Sequence, residues 1–208
     1  MRREEDLSLI LASASPRRAH LLRQLGLSFS VVPSAVPEDV LPGETPEAHV
    51  RRLSREKALE VHASHPEALV VAGDTVVVLG DRILGKPRDR EDAVSMLMTL
   101  SGHTHRVVSG LALSFPWGDL EEGALTTEVT FRSFHEALAR RYVDTGEPMD
   151  KAGAYGIQGM GSALVEGIRG DYHTVVGLPI PLLLELLAAG GLEFQFGRLV
   201  RDPVMEDQ

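Results

Sequence analysis

Between Leu69 and Leu79 the chain sets Leu-Val-Val-Ala and Val-Val-Val-Leu on either side of Gly73-Asp74-Thr75. Runs so rich in β-branched residues read as strands, here two of them, broken at the Gly-Asp-Thr. Around them short β-rich runs alternate with helical ones, the pattern of an α/β domain. Leu7 to Ala12 reads as a strand. Ser15 caps a helix with Pro16 in its first turn, running to Leu25 and stopped by Gly26. A second helix is expected from Pro46 to Ser64, and a strand at Ile83-Leu84 follows the Gly80-Asp81 turn. Asp89 caps a third helix through Leu100. Strands at residues 105–113 and 125–131 lead to a helix opened by a Ser133/Glu136 capping box. Asp144 to Ser162 is Gly-rich and aperiodic, a length at which loops tend to be functional. A hairpin of residues 163–168 and 172–176 about Arg169-Gly170-Asp171 is expected next. A Leu-rich core helix from Pro181 to Ala189 then leaves 192–208 as a tail.

Composition narrows the function. The chain has 208 residues, 43% hydrophobic and 25% charged, enough for one sizeable core. With no Cys, a disulfide framework, a thiolate metal site and a cysteine nucleophile are excluded. A formal charge of −9 argues against coating a nucleic-acid polymer, though not against a local basic pocket. Val175 to Leu184 is too short for a membrane span and is interrupted by Pro179 and Pro181. Arg2 and Arg3 precede an apolar run ending in Ala12-Ser13-Ala14, but Glu4-Glu5-Asp6 intervene, unlike a secretory leader. The expectation is a soluble, cytoplasmic protein. Among the 21 basic residues only Lys57, Lys86 and Lys151 are lysines. A chain that uses Arg for routine positive charge draws attention to those three.

Three clusters carry chemistry. In Ser13-Ala14-Ser15-Pro16-Arg17-Arg18 a strand gives way to a helix with two arginines in its first turn. The helix dipole disfavours cations there, unless an anion shares the site; the arginines either hold one or point into water. On the second helix Val50, Leu53, Lys57 and Val61 fall on one stripe, so Lys57 points inward, whereas Arg51, Arg52 and Arg55 form a solvated face. Such an ammonium either meets an anion or snorkels out along its stem. Asp74, set among apolar strand residues, suits a general base or a ligand for a hard cation such as Mg²⁺, with a plain turn aspartate as the alternative. Gly85-Lys86-Pro87 is expected to bring Lys86 to the same neighbourhood, a set suited to a polyphosphate with a bridging metal. Neither G-x-G-x-x-G nor a GKS/T loop is present. His103 and His105 share a strand face and read as a solvated edge pair, with a metal site as the alternative.

These segments, in order, resemble the motifs of Maf proteins: Ser13 to Arg18, Gly73-Asp74-Thr75, Gly85-Lys86-Pro87, Asp150-Lys151-Ala152-Gly153-Ala154-Tyr155-Gly156-Ile157-Gln158-Gly159 and Val176-Gly177-Leu178-Pro179. The resemblance covers about residues 7 to 187. It implies an α/β, inosine-triphosphatase-like fold: a mixed twisted sheet flanked by helices, one domain over residues 1–208 in two lobes about a central cleft. It also implies nucleoside triphosphate pyrophosphatase activity with a divalent cation, Mg²⁺ or Mn²⁺. Asp74 would be catalytic and, with Glu38, would hold metal. Ser13, Arg17, Arg18, Lys57, Lys86, Thr75 and Gln158 would bind substrate, with Arg17, Thr75 and Gln158 resembling the dTTP/UTP branch. A homodimer is expected on the same ground. The chain departs from the family pattern at Ala72-Gly73, usually Gly-Ala, and at Pro37, where an acidic residue often precedes Glu38. Two alternatives stand: a broader house-cleaning pyrophosphatase, and a regulatory binding protein inhibiting septum formation.

Overall fold

The computed structural model describes residues 7–201; Arg2 to Asp6, on which the leader reading rests, and the end of the tail lie outside them. The elements in order are β1 (Leu9–Leu11), α1 (Pro16–Gln24), β2 (Ser30–Val31), α2 (Pro46–Ser64), β3 (Leu69–Leu79), β4 (Arg82–Leu84), α3 (Arg90–Leu100), β5 (Thr104–Ser114), β6 (Leu120–Phe131), α4 (Glu136–Asp144), β7 (Val165–Arg169), α5 (Tyr172–Val176), α6 (Ile180–Ala189), β8 (Leu192–Phe194) and β9 (Leu199–Arg201). The main sheet runs β2-β1-β3-β5-β6-β7, with β4 on β3. It is mixed: β1 is parallel to β2 and β3, whereas β4 and β7 pair antiparallel. No helix among the described residues is long and apolar enough to cross a membrane.

The chain forms two compact units. One comprises residues up to 74, 110–124 and from 180 onward; the other, 75–109 and 125–179. In the first, α2 covers one sheet face, burying Ala58 and Val61 on Ile10, Val70, Ala72 and Ala112. The helix starts on Thr45, whose hydroxyl accepts the Ala48 amide, with Pro46 in its first turn. It lies so close to β5 that a Cβ on Gly110 would meet the Val50 carbonyl at 2.5 Å. The strand must therefore carry glycine there. In the second unit, Leu97 and Leu100 of α3 and Ala139 and Val143 of α4 pack with Val107, Val129 and Phe131.

Several elements differ from the sequence reading. β3 is one continuous strand through Gly73-Asp74-Thr75, because Asp74 finds an ionic partner that offsets the low β-propensity of aspartate. Gly73 answers crowding rather than backbone geometry: a Cβ would come within 3.0 Å of both the Gly110 carbonyl and Leu111. The Ser133/Glu136 box does not form; α4 begins at Glu136 behind His135, which makes no side-chain cap. Residues 172–176 are a helix, because Asp171 accepts the Thr174 amide at 2.6 Å and Gly177 ends it at φ 113°. The tail pairs β8 with β9. Residues 144–162 are compact, wound into short 3₁₀ turns at Glu147–Asp150, Ala152–Ala154 and from Gly159.

His105 is buried rather than solvated, its Nε2 sharing a 2.7 Å hydrogen bond with the Tyr155 hydroxyl, and Nδ1 has no partner. His103 precedes the strand, its Nδ1 on the Ser101 carbonyl. Burial pushes the His105 imidazole down to about 4 from 6.5. The unfolded chain therefore takes up this proton first, and the stability is present above pH 6.5 and lost as the pH falls toward 4. Between pH 6.5 and 5 the loss from this residue is about 2 kcal/mol. Urea unfolding at both pH values checks it: His105→Leu is expected to lose that much less on acidification than the natural chain.

Candidate active site

At the end of β1 the Ser13 hydroxyl is buried and accepts two bonds, from the Ser15 amide at 3.2 Å and from Arg18 Nη1 at 3.0 Å. Ser15 caps α1 by accepting the Arg18 amide, so strand end, cap and guanidinium are locked together. Burial lowers the Arg18 pKa; the Asp74 charge opposes this, and neighbouring Arg17 adds to it. An arginine remains charged under such pressure.

Lys57 is on the buried face of α2, as its place on the apolar stripe requires, and only 6% of it is exposed. Its ammonium does not snorkel out. Nζ donates to Asp74 Oδ1 at 2.8 Å and to Glu38 Oε1 at 2.6 Å. Asp74 comes from the middle of β3 and is itself buried; Glu38 comes from the irregular stretch before α2 and is half-exposed. Arg18, in the first turn of α1, feels the charges of both Asp74 and Glu38, so this cation and the Lys57 ammonium share the two carboxylates beside a helix N-terminus.

Thr75, Lys86 and Gln158 belong to the second unit. Thr75 Oγ1 lies 2.8 Å from the Ser109 hydroxyl, which donates to the Thr174 carbonyl at 2.7 Å. Ser109 has one proton, so Thr75 donates to it. Lys86 is exposed in the loop after β4, and the Gly85 carbonyl next to it accepts the Gly153 amide at 3.0 Å. That bond joins the Gly-Lys-Pro turn to the Gly-rich segment. Gly153 has φ 67°, with Val77 at 3.0 Å from where a Cβ would stand, so both conformation and space demand glycine. Gln158 is half-buried and precedes the last 3₁₀ turn.

Sequence reasoning missed what holds this segment. The Glu147 carboxylate accepts the Tyr142 hydroxyl at 2.8 Å and the Met160 and Gly161 amides, both at 3.0 Å. Burial pushes Glu147 up, but these donors and the Lys151 charge outweigh it and keep the carboxyl below its ordinary value. Lys151 is tied within the same segment, to the Glu147 carbonyl and to Asp150. Nor is the arginine face of α2 merely solvated: Arg51 and Arg55 pair with Glu122, and Arg52 with Glu44. The Arg52 bond, against the effect of burial, holds the Glu44 carboxyl down to about 2. A Glu-Arg pair eight positions apart in sequence follows no helical spacing, so no pattern announced it.

The profile of Maf-like proteins matches residues 8–190. The chain belongs to the Maf-like family. Among its relatives, a dTTP/UTP pyrophosphatase of Desulfotalea psychrophila is 50% identical over 183 residues, spanning 88% of this chain and 94% of the relative. Proteins of the same description from Koribacter versatilis and Myxococcus xanthus are 47% and 50% identical, covering 89% and 88% of this chain and 96% and 93% of their own.

The Lys57 pair yields a stability test. Lys57→Met keeps the bulk but strands the Asp74 carboxylate beside Arg18 alone, and is expected to cost about 3 kcal/mol. Glu38→Gln, at a half-exposed position, is expected to cost under about 1 kcal/mol. Urea denaturation of the two variants at pH 7 measures both.

Proposed function

We propose that this chain is a nucleoside triphosphate pyrophosphatase that hydrolyses the α–β phosphoanhydride of dTTP and UTP, releasing the monophosphate and pyrophosphate. The carrying observation is the buried Lys57 ammonium held between Asp74 and Glu38, beside Arg18 and the α1 N-terminus, in a chain whose relatives are named dTTP/UTP pyrophosphatases. Working on free nucleotides, the enzyme would reside in the cytoplasm and need no nucleic-acid polymer. Residues 1–208 would act as one catalytic domain.

Cleavage of a phosphoanhydride needs charge neutralisation, an in-line water and a held leaving group. Both Ser13 lone pairs are engaged, so its hydroxyl is left with a proton to donate to a phosphate oxygen. Arg17, Lys57 and Lys86 would stabilise charge on the triphosphate and the departing pyrophosphate. Asp74 would orient the attacking water and take its proton. Gln158, whose amide offers both a donor and an acceptor, would pair with the O4/N3 edge of the pyrimidine, with Thr75 in the same role of selection.

A divalent cation fits these residues. Asp74 and Glu38 are hard oxygen donors on one ammonium, and the described residues contain no cluster of three or more His, Cys, Asp or Glu suited to a metal. Mg²⁺ is commonly bound through one or two carboxylates, completing its shell with substrate phosphates and water. Asp74 and Glu38 would hold Mg²⁺ or Mn²⁺, which when bound supplies phosphate polarisation and a more acidic water.

Pyrophosphate release from a panel of triphosphates with Mg²⁺ or Mn²⁺ tests the reading. The expected result is preferential turnover of dTTP and UTP, at least about a hundredfold lower in Asp74→Asn. No pyrophosphate from any nucleotide overturns it. Gln158→Glu is expected to erase the pyrimidine preference; an unchanged preference removes Gln158 from base reading.

A further inference from the structure

Glu38 reaches Lys57 from a segment, residues 32–45, that has no regular structure. Yet that segment is bonded to α2 on both sides of Glu38. Before it, Glu60 accepts the Ala35 amide at 3.0 Å and the Ser34 hydroxyl, and Ser34 in turn accepts the Val36 amide at 3.1 Å. After it, Arg52 grips Glu44 with two bonds, Nε to Oε1 at 2.7 Å and Nη2 to Oε2 at 2.9 Å. Nη2 also donates to the carbonyl of Asp39, the residue next to Glu38, at 3.0 Å. Glu44 closes the arrangement by accepting the Leu41 amide at 3.1 Å. In sequence Lys57 lies between Arg52 and Glu60 on the helix, and Glu38 lies between the two anchorages on the loop.

We propose that Arg52 and Glu60 are positioning residues that fix the Glu38 carboxylate on the Lys57 ammonium. A half-exposed glutamate on an irregular segment gains little from one ion pair, because ordering its backbone and its side-chain torsions costs as much. Here the backbone is already immobilised one residue after Glu38 and three before it, so the side-chain torsions alone remain to be fixed. Arg52 suits the task because a planar guanidinium makes two parallel bonds to a carboxylate and still has a donor for a carbonyl. Lysine offers no such fork. Helix α2 thus presents the cation and also strings the loop that brings its second anion.

The effect on turnover rests on the function proposed above; the effect on geometry does not, and the experiment separates them. The full-length chain is treated with acetic anhydride, and acetylation of Lys57 is read by mass spectrometry against exposed Lys86. Glu38→Gln is expected to raise Lys57 labelling several-fold. Arg52→Gln and Glu60→Ala are each expected to raise it toward the same level, and Arg52→Gln to add nothing in the Glu38→Gln background. Labelling at the natural level in Glu38→Gln, or in both Arg52→Gln and Glu60→Ala, overturns the proposal. So does a full Arg52→Gln increase that persists without Glu38. If Arg52→Gln fails to fold, Glu60→Ala carries the same comparison.

With dTTP, Arg52→Gln is expected to lower kcat/KM about tenfold, and to have no further effect once Glu38 is Gln. Glu60→Gln, which keeps an oxygen for the Ala35 amide, is expected to stay near the natural value. An equal loss from Arg52→Gln in both backgrounds overturns the positioning role. An inactive natural protein overturns the proposed function instead, and the labelling still decides the clamp.

Discussion

An ammonium taken out of water dictates much of what surrounds it. Burying a lone Lys57 would be expensive, and the chain meets that cost with one carboxylate from the middle of a strand and another from a loop. Asp74 can stand inside β3 because the ammonium is there. α2 can bring the ammonium because Gly110 lets the helix lie against β5. Glu38 completes the set because Arg52, Glu44 and Glu60 tie its loop to the same helix. Packing and polar chemistry are here a single constraint, satisfied around one nitrogen.

The three lysines of an arginine-rich chain now part company. Lys57 is a compact cation in a space already filled by two carboxylates. Lys86 is exposed on a turn bonded to the Gly-rich segment. Lys151 braces that segment from within, its head on a carbonyl and a carboxylate. In the proposed reaction the first two meet phosphate, and the third keeps the Gln158 segment in shape along with Glu147 and Tyr142. A Gly-rich stretch without periodicity turns out to be ordered by one half-buried carboxylate collecting a hydroxyl and two amides.

Local chemistry was legible in the sequence. Ser15 and Asp89 cap the helices expected of them, and the apolar stripe of α2 placed Lys57 inward. Ser13, Arg17, Arg18, Glu38, Lys57 and Asp74 fall within one unit, while Thr75, Lys86 and Gln158 lie in the other. What escaped were bonds between positions with no fixed spacing, such as Arg52 with Glu44 and Glu60 with Ala35. Propensity misled where a specific partner overrode it. Asp74 did not break β3, and the β-branched Val175 and Val176 became helical under the Asp171 cap. His105 looked solvated because nothing nearby in sequence announces Tyr155, fifty residues away.

In the proposed reaction the cation at position 57, shared by Asp74 and Glu38, has to be small and point-like. The kcat/KM of Lys57→Arg for dTTP, measured on protein shown to be folded, tests it most directly. Charge is kept while the head becomes larger and planar, so a loss of at least roughly a hundredfold is expected. Catalytic efficiency within about twofold of the natural enzyme would contradict it.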